Sequence, residues 1–95
     1  MCLSFTKRLR GPIIAGEITT SIRIWLRPRV KIGGRYPLGG GHVEVTALTE
    51  IDLGDITDAM AFESGFADRD DLLSIAKHGR GERVFLVTFV YLALG

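Results

Sequence analysis

The run RVFLVTFVYLAL, residues 83–94, constrains the fold more than any other part of the chain. Val84 through Leu94 are mostly apolar and rich in β-branched and aromatic types, which suit extended backbone. A strand wet on one face would alternate apolar with polar residues, and this run does not. It therefore predicts a strand through the middle of a sheet. With 95 residues, a chain buries somewhat over ~60% of the surface its unfolded form exposes, enough for one core. One domain spanning residues 1–95 is expected.

The remaining elements arrange themselves around that strand. CLSF reads as a short N-terminal strand. In TKRLRGPIIAGE, Leu9, Ile13 and Ile14 recur at helical spacing, and Gly16 suits the positive-φ position that ends a helix. Pro12 removes a backbone donor from that helix, so a kinked or short one is expected. TTSIRIW alternates, with Thr20, Ile22 and Ile24 on one face and Ser21, Arg23 and Trp25 on the other, the period of a half-buried strand. Pro28 and Gly33-Gly34 punctuate a loop, after which RYPL and HVEVTALTEIDL form a hairpin through Gly39-Gly40-Gly41. In the long second strand, Val43, Val45 and Ala47 are expected on one face and Glu44, Thr46 and Leu48 on the other. Residues 55–81 hold two helical pieces. Asp55 or Thr57 caps the first and Gly65 ends it; Asp68 caps the second, which carries Leu72, Leu73 and Ile75 and closes at Gly79. The order βαβββααβ predicts an α+β fold: a small curled sheet or open β-barrel of about five strands with two or three short helices.

The formal net charge of +1 conceals a strong asymmetry. Residues 1–35 hold eight Lys or Arg against the single acid Glu17, a net +7, whereas residues 36–95 hold four against ten acids, a net −6. A basic half of this kind points to an anionic partner, unless the two halves mix their charges on one surface. No apolar run approaches the roughly 20 residues of a membrane span, so no membrane partner is expected. The single Cys2 and the lack of an apolar stretch after Lys7, Arg8 and Arg10 lead to the expectation of a cytoplasmic protein.

Motifs of catalysis are scarce. The sequence has no HExxH, GxSxG or Cys/His cluster, His42 and His78 lack partners at metal spacing, and Cys2 stands alone. Neither metal nor cofactor is expected. GGRYPLGGG lacks the GK[ST] ending of a phosphate loop and sits where a hairpin turn belongs. Arg80, between Gly79 and Gly81, either belongs to a helix cap or swings onto a ligand phosphate.

What remains is a set of cations and aromatics around one strand: Lys7, Arg23, Trp25, Arg27, Arg29, Lys31 and Tyr36, with Ser21 beside Arg23 and Glu63 at the end of a helix. A guanidinium grips phosphate or carboxylate with a fork of donors, and an aromatic ring beside it lets a base stack. That is the chemistry of single-stranded RNA or nucleotide recognition. Each residue also has a structural alternative: Arg23 paired with a buried Glu63, Trp25 packed in the core, Tyr36 in the barrel with its hydroxyl at the mouth.

LSFTKRL, GEITTSIRIW, VKIGGRY and ESGFADRDDLLSIAKHGRG, followed by VFLVTFVY, together resemble the ASCH domain family, a branch of the PUA-like β-barrel superfamily. The resemblance covers nearly the whole chain. The family's Gly-x-Lys-x-x-Thr-x-Arg type motif is matched by Gly16 and Arg23, with Ser21 in the place of the threonine and Ile18 in the place of the lysine. The resemblance implies binding of RNA or nucleotides in a basic cleft beside the second strand of the barrel. Some members look like enzymes, either amidohydrolases of acetylated cytidine that use a lysine, a threonine and a glutamate, or nucleases of single-stranded RNA. Carried onto this chain, the implied catalytic pair is Ser21 and Glu63. Isoleucine cannot take a proton from a serine, so hydrolysis would require Lys7 or Lys31 in the role that Ile18 leaves empty. An RNA- or nucleotide-binding domain, monomeric or weakly dimeric, is the leading expectation, and a small hydrolase the alternative.

Overall fold

The computed structural model describes Phe5, residues 7–76 and residues 83–93. The N-terminal CLSF segment up to Ser4, with Cys2 in it, His78, the Gly79-Arg80-Gly81 sequence and the last two residues lie outside the described residues. Helix α1 spans Lys7–Ile14 and strand β1 Thr20–Trp25; β2 spans Arg35–Leu38 and β3 Gly41–Ile51. A 3-10 turn at Leu53–Asp55 leads to α2, Asp58–Glu63, and α3, Arg69–Ala76, before β4, Arg83–Ala93. The four described strands form one antiparallel sheet in the order β1-β4-β3-β2. The sheet curls into a half-barrel, so the fold is a small α+β domain compatible with an open barrel. No described helix is long and apolar enough to cross a membrane.

The apolar run takes the inner position that its composition demands, with β1 on one side and β3 on the other. Val87 and Phe89 are fully buried and Phe85 nearly so, and in register they meet Ser21, Arg23, Val45 and Leu48 on one face of the sheet. Phe5 closes over this face, its ring 5.4 Å from Phe89. The opposite face of β1 carries Thr20, Ile22 and Ile24, and there Thr20 Oγ1 lies 3.1 Å from Ser64 Oγ at the end of α2. Helix α3 packs on the same strand. Cover on both faces makes β1 more buried than its alternating sequence implies: Ser21 and Trp25 are buried along with Ile22 and Ile24. Burying each such aliphatic or aromatic side chain stabilises the fold by roughly 1.5–3 kcal/mol.

Strand β3 also departs from simple alternation. A register shift between Val45 and Ala47 bulges the strand at Thr46. After it, Leu48 rather than Ala47 shares the face of Val43 and Val45, opposite Val87. An extra residue in one strand reverses the facing of everything beyond it.

The helix ends follow local chemistry. Pro12 sits inside α1, which runs only eight residues. Gly16 adopts φ +80 and donates to Ile13 O, while Glu17 N–H reaches Pro12 O at 2.9 Å. Thr57 caps α2 by accepting from Met60 N–H, and Asp68 accepts from Asp71 N–H at the start of α3. Because consecutive strands β1 and β2 lie at opposite edges of the sheet, their connection, residues 26–34, must cross one end of it.

Candidate functional site

Among the described residues, the crossing loop carries most of the exposed positive charge that forms no ion pair. Arg27, Arg29 and Lys31 are exposed and form no ion pair among the described residues, and the loop contains no acid. Three attachments hold it. Val30 is buried in the core. Lys31 N–H donates to the Tyr36 hydroxyl at 3.2 Å. Gly33 N–H donates to Val45 O, and Val45 N–H donates back to Gly34 O. The cations thus project from a tethered backbone, flanked by the exposed apolar side chains of Leu26 and Ile32. Arg35, at the end of the loop, is engaged by Glu44 at 3.0 Å.

Behind the loop lies the row Ser21, Arg23 and Trp25. Arg23 Nε donates to Ser21 Oγ at 2.8 Å, and its guanidinium stacks 5.0 Å from the Phe5 ring centroid. Burial pushes the Arg23 pKa down to about 10, which leaves it charged at neutral pH. Trp25 is only 5% exposed and packs against Phe85 with ring centroids 5.8 Å apart. It holds the core and offers no face to a base. Tyr36 is half-buried with its hydroxyl spent on the loop. The alternative role for Arg23, an ion pair with a buried Glu63, is not met: no such pair forms among the described residues, and Glu63 is exposed at the end of α2.

A second feature opens at the other end of β1. Helix α1 contributes Arg8, Leu9 and Pro12 to a cleft of about 690 Å³, and the turn into β1 contributes Glu17, Ile18, Thr19 and Thr20. The end of α2 closes it with Phe62 and Glu63, and the α2–α3 connection with Gly65, Phe66 and Ala67. Arg8 is already engaged, with Asp71 Oδ2 at 3.1 Å and the Phe66 ring centroid at 5.2 Å. The Asp71 carboxyl is held below its usual range, chiefly by the Ala67 N–H, with Arg8 adding to that and desolvation opposing it. Glu17 and Glu63 are exposed and have no ion pair among the described residues. This cleft beside the start of β1 is therefore not basic.

The residues implied as a catalytic pair separate between these features. Glu63 lines the cleft, but Ser21 does not; Ser21 sits on the other face of β1 from Thr20, bonded to Arg23. Ile18, where a lysine would stand in the ASCH motif, does line the cleft. Lys7 is exposed at the first turn of α1, and Arg80 lies outside the described residues. His42 is flanked in register by Pro37 and Leu92, neither of them a metal ligand, and its Nε2 is buried with no hydrogen-bond partner among the described residues. Sequence reasoning missed Arg8, Glu17, Thr20 and Phe62 as lining residues. Only Phe62 gave a signal, a large apolar residue next to a helix end that proves 74% exposed. Comparison with protein-family models, with curated proteins and with solved structures finds no match.

Proposed function

We propose that this chain is an RNA- or nucleotide-binding domain of the ASCH type, a PUA-like open barrel that meets its anionic ligand through the loop between β1 and β2. The observation that carries the reading is the trio Arg27, Arg29 and Lys31, exposed, without ion pairs among the described residues and fixed to the core through Val30 and Tyr36. Cations that have no protein partner and sit on a tethered backbone bind phosphate with little ordering cost. Exposed Leu26 and Ile32 beside them give sugars and bases an apolar surface, a role that Trp25, being buried, does not fill. The basic contact surface in this reading is the loop rather than the cleft.

The arrangement favours binding over hydrolysis. A serine nucleophile needs a base within about 3 Å, and Ser21 Oγ instead accepts a hydrogen bond from a guanidinium that stays charged. The test is fluorescence anisotropy of an end-labelled single-stranded RNA across a salt series, with the same samples checked on a gel. Each neutralised phosphate on a single strand contributes roughly −0.7 to the slope of log K against log salt, so three contacts give about −2. Binding of intact RNA with that slope is expected. A flat salt dependence would overturn the loop as contact surface, and cleaved RNA lost in Ser21→Ala would restore the hydrolase.

A further inference from the structure

The cleft at the start of β1 has the opposite chemistry to the loop. Its floor is apolar, made by Leu9, Pro12, Ile18 and Phe66. Its two carboxylates, Glu17 and Glu63, have no ion pair among the described residues, while its one guanidinium, Arg8, is shared between Asp71 and the Phe66 ring. Phe62 stands 74% exposed on the wall, presenting an aromatic ring to whatever enters. Residues 52–71, whose α2 end and following turn form one wall, hold seven acids against the single Arg69, while α1 on the other wall carries Lys7, Arg8 and Arg10, so the two walls differ in sign. A volume of about 690 Å³ is that of a small-molecule site.

We propose that this cleft binds a compact organic cation, a protonated amine or guanidinium carried on an apolar body. The apolar part lies on the floor, and the cationic head sits between the carboxylates of Glu17 and Glu63 with the Phe62 ring beside it, where the ring's negative face attracts it. An anion entering the cleft would meet two carboxylates and a guanidinium already committed elsewhere. A metal ion would find too few ligands, since no group of three or more His, Cys, Asp or Glu able to hold one occurs among the described residues. The Thr20 hydroxyl shares a hydrogen bond with Ser64, and the charged groups of the lining are the two glutamates and Arg8, so selectivity comes chiefly from charge and shape. The proposal stands independently of the RNA reading, which rests on the loop.

Two sources offer this chemistry: a free small molecule, or a cationic side chain from the loop of a second copy. The experiment is an NMR titration of the amide-labelled full chain with 2-phenylethylamine, with 2-phenylethanol and 3-phenylpropionate as neutral and anionic counterparts. Saturable shifts at Glu17, Ile18, Thr20, Phe62 and Gly65 are expected with the amine, at a dissociation constant on the order of 1 mM. The alcohol should bind more weakly and the acid not at all. Glu17→Gln combined with Glu63→Gln should weaken the amine by about tenfold, and Phe62→Ala by about threefold. The loop variant Arg27→Ala/Arg29→Ala/Lys31→Ala should bind the amine as the parent does. Sedimentation of the parent separates the sources: a monomer that binds the amine assigns a free ligand, and self-association that the amine dissolves and the loop variant lacks assigns a second copy. Equal binding of acid and amine, or no saturable shift with any probe, would overturn the proposal.

Discussion

At its C-terminal end β1 runs into a loop of three exposed cations, while at its N-terminal end it borders a cleft whose two carboxylates, without an ion pair among the described residues, rise above an apolar floor. Six residues of strand separate them, on the order of 17 Å. The supports differ as much as the charges. The loop is pinned from within the core by Val30, Tyr36 and the end of β1 at Trp25, so its cations are surface groups on a rigid base. The cleft is a gap between α1 and the α2–α3 connection, spanned at its rim by the Arg8–Asp71 ion pair. The net charge of +1 averages these two fields and hides both. If the loop meets RNA as proposed, the carboxylates at the other end of the strand would bias the polyanion's orientation as well as its position.

The largest effect should come from removing the core residue beneath the loop. Trp25→Ala deletes a buried aromatic packed on Phe85 and should cost about 3–5 kcal/mol, enough to unfold a small domain or leave it marginal. Trp25→Phe keeps most of the volume, so it serves for binding: thermal melting should fall modestly and RNA affinity should stay within about twofold of the parent. A selective loss of RNA affinity in a Trp25→Phe protein with parental melting would return the ring to the ligand surface and erase part of the contrast between the two ends.

A somewhat smaller effect is expected beneath the cleft. Gly65 adopts φ +94, and a Cβ there would run into the side chains of Leu9 and Ile18. Strain and overpacking together predict a loss of roughly 2–4 kcal/mol for Gly65→Ala, read by denaturant unfolding. The cleft floor should loosen while the loop keeps its RNA salt slope. An unchanged midpoint would mean that α2 and α3 are free to shift away from α1.

The strands of both ends were legible in the sequence because their residues obey the period of extended backbone. Ile22 and Ile24 point to the core, the run from Val84 onward takes the inner position, and Thr57, Asp68, Gly16 and Gly65 mark the helix ends. The site was less legible. Alternation says that Ser21 and Trp25 oppose Ile22, but not that their face is also covered, since that depends on Phe5 and on the aromatic residues of a strand some sixty positions away. The cations of the loop were legible as exposed because no apolar period runs through them. The cleft was not, because Arg8, Glu17 and Phe62 come from three segments that only tertiary packing brings together.

The sharpest separation of the two ends uses the loop cations themselves. Replacing Arg27, Arg29 and Lys31 with alanine should reduce the magnitude of the RNA salt slope by about 2 and weaken binding ten- to a hundredfold at low salt. Melting should barely change, since none of the three forms an ion pair among the described residues. The Glu17→Gln/Glu63→Gln variant should bind RNA as well as the parent or slightly better, because it removes repulsion alone. A drop in RNA affinity there, with the loop variant unaffected, would invert the assignment of the two ends.

The smallest effect concerns acid. Asp71 is held below the usual carboxylate range, first by the N–H of Ala67 and then by Arg8. A carboxylate whose folded-state pKa is depressed binds fewer protons when folded than when unfolded, so stability rises with pH across that interval. Its contribution is therefore complete above the unfolded value and disappears as pH falls through the lower folded value. Asp71→Asn removes this dependence at the cleft rim and breaks the pairing with Arg8, so its melting temperature should fall less steeply than that of the parent on acidification below the normal carboxylate range, from a slightly lower start at neutral pH. The loop contains no carboxylate, and its triple alanine variant should follow the parent's acid limb throughout. Glu50, lowered by its hydrogen bonds to Arg83, supplies the internal control, since Glu50→Gln should flatten the same limb without touching either end's ligand. Parallel acid limbs for Asp71→Asn and the parent would mean that neither the Ala67 N–H nor Arg8 engages Asp71 in solution, and an Arg8 released in this way would make the cleft receptive to anions.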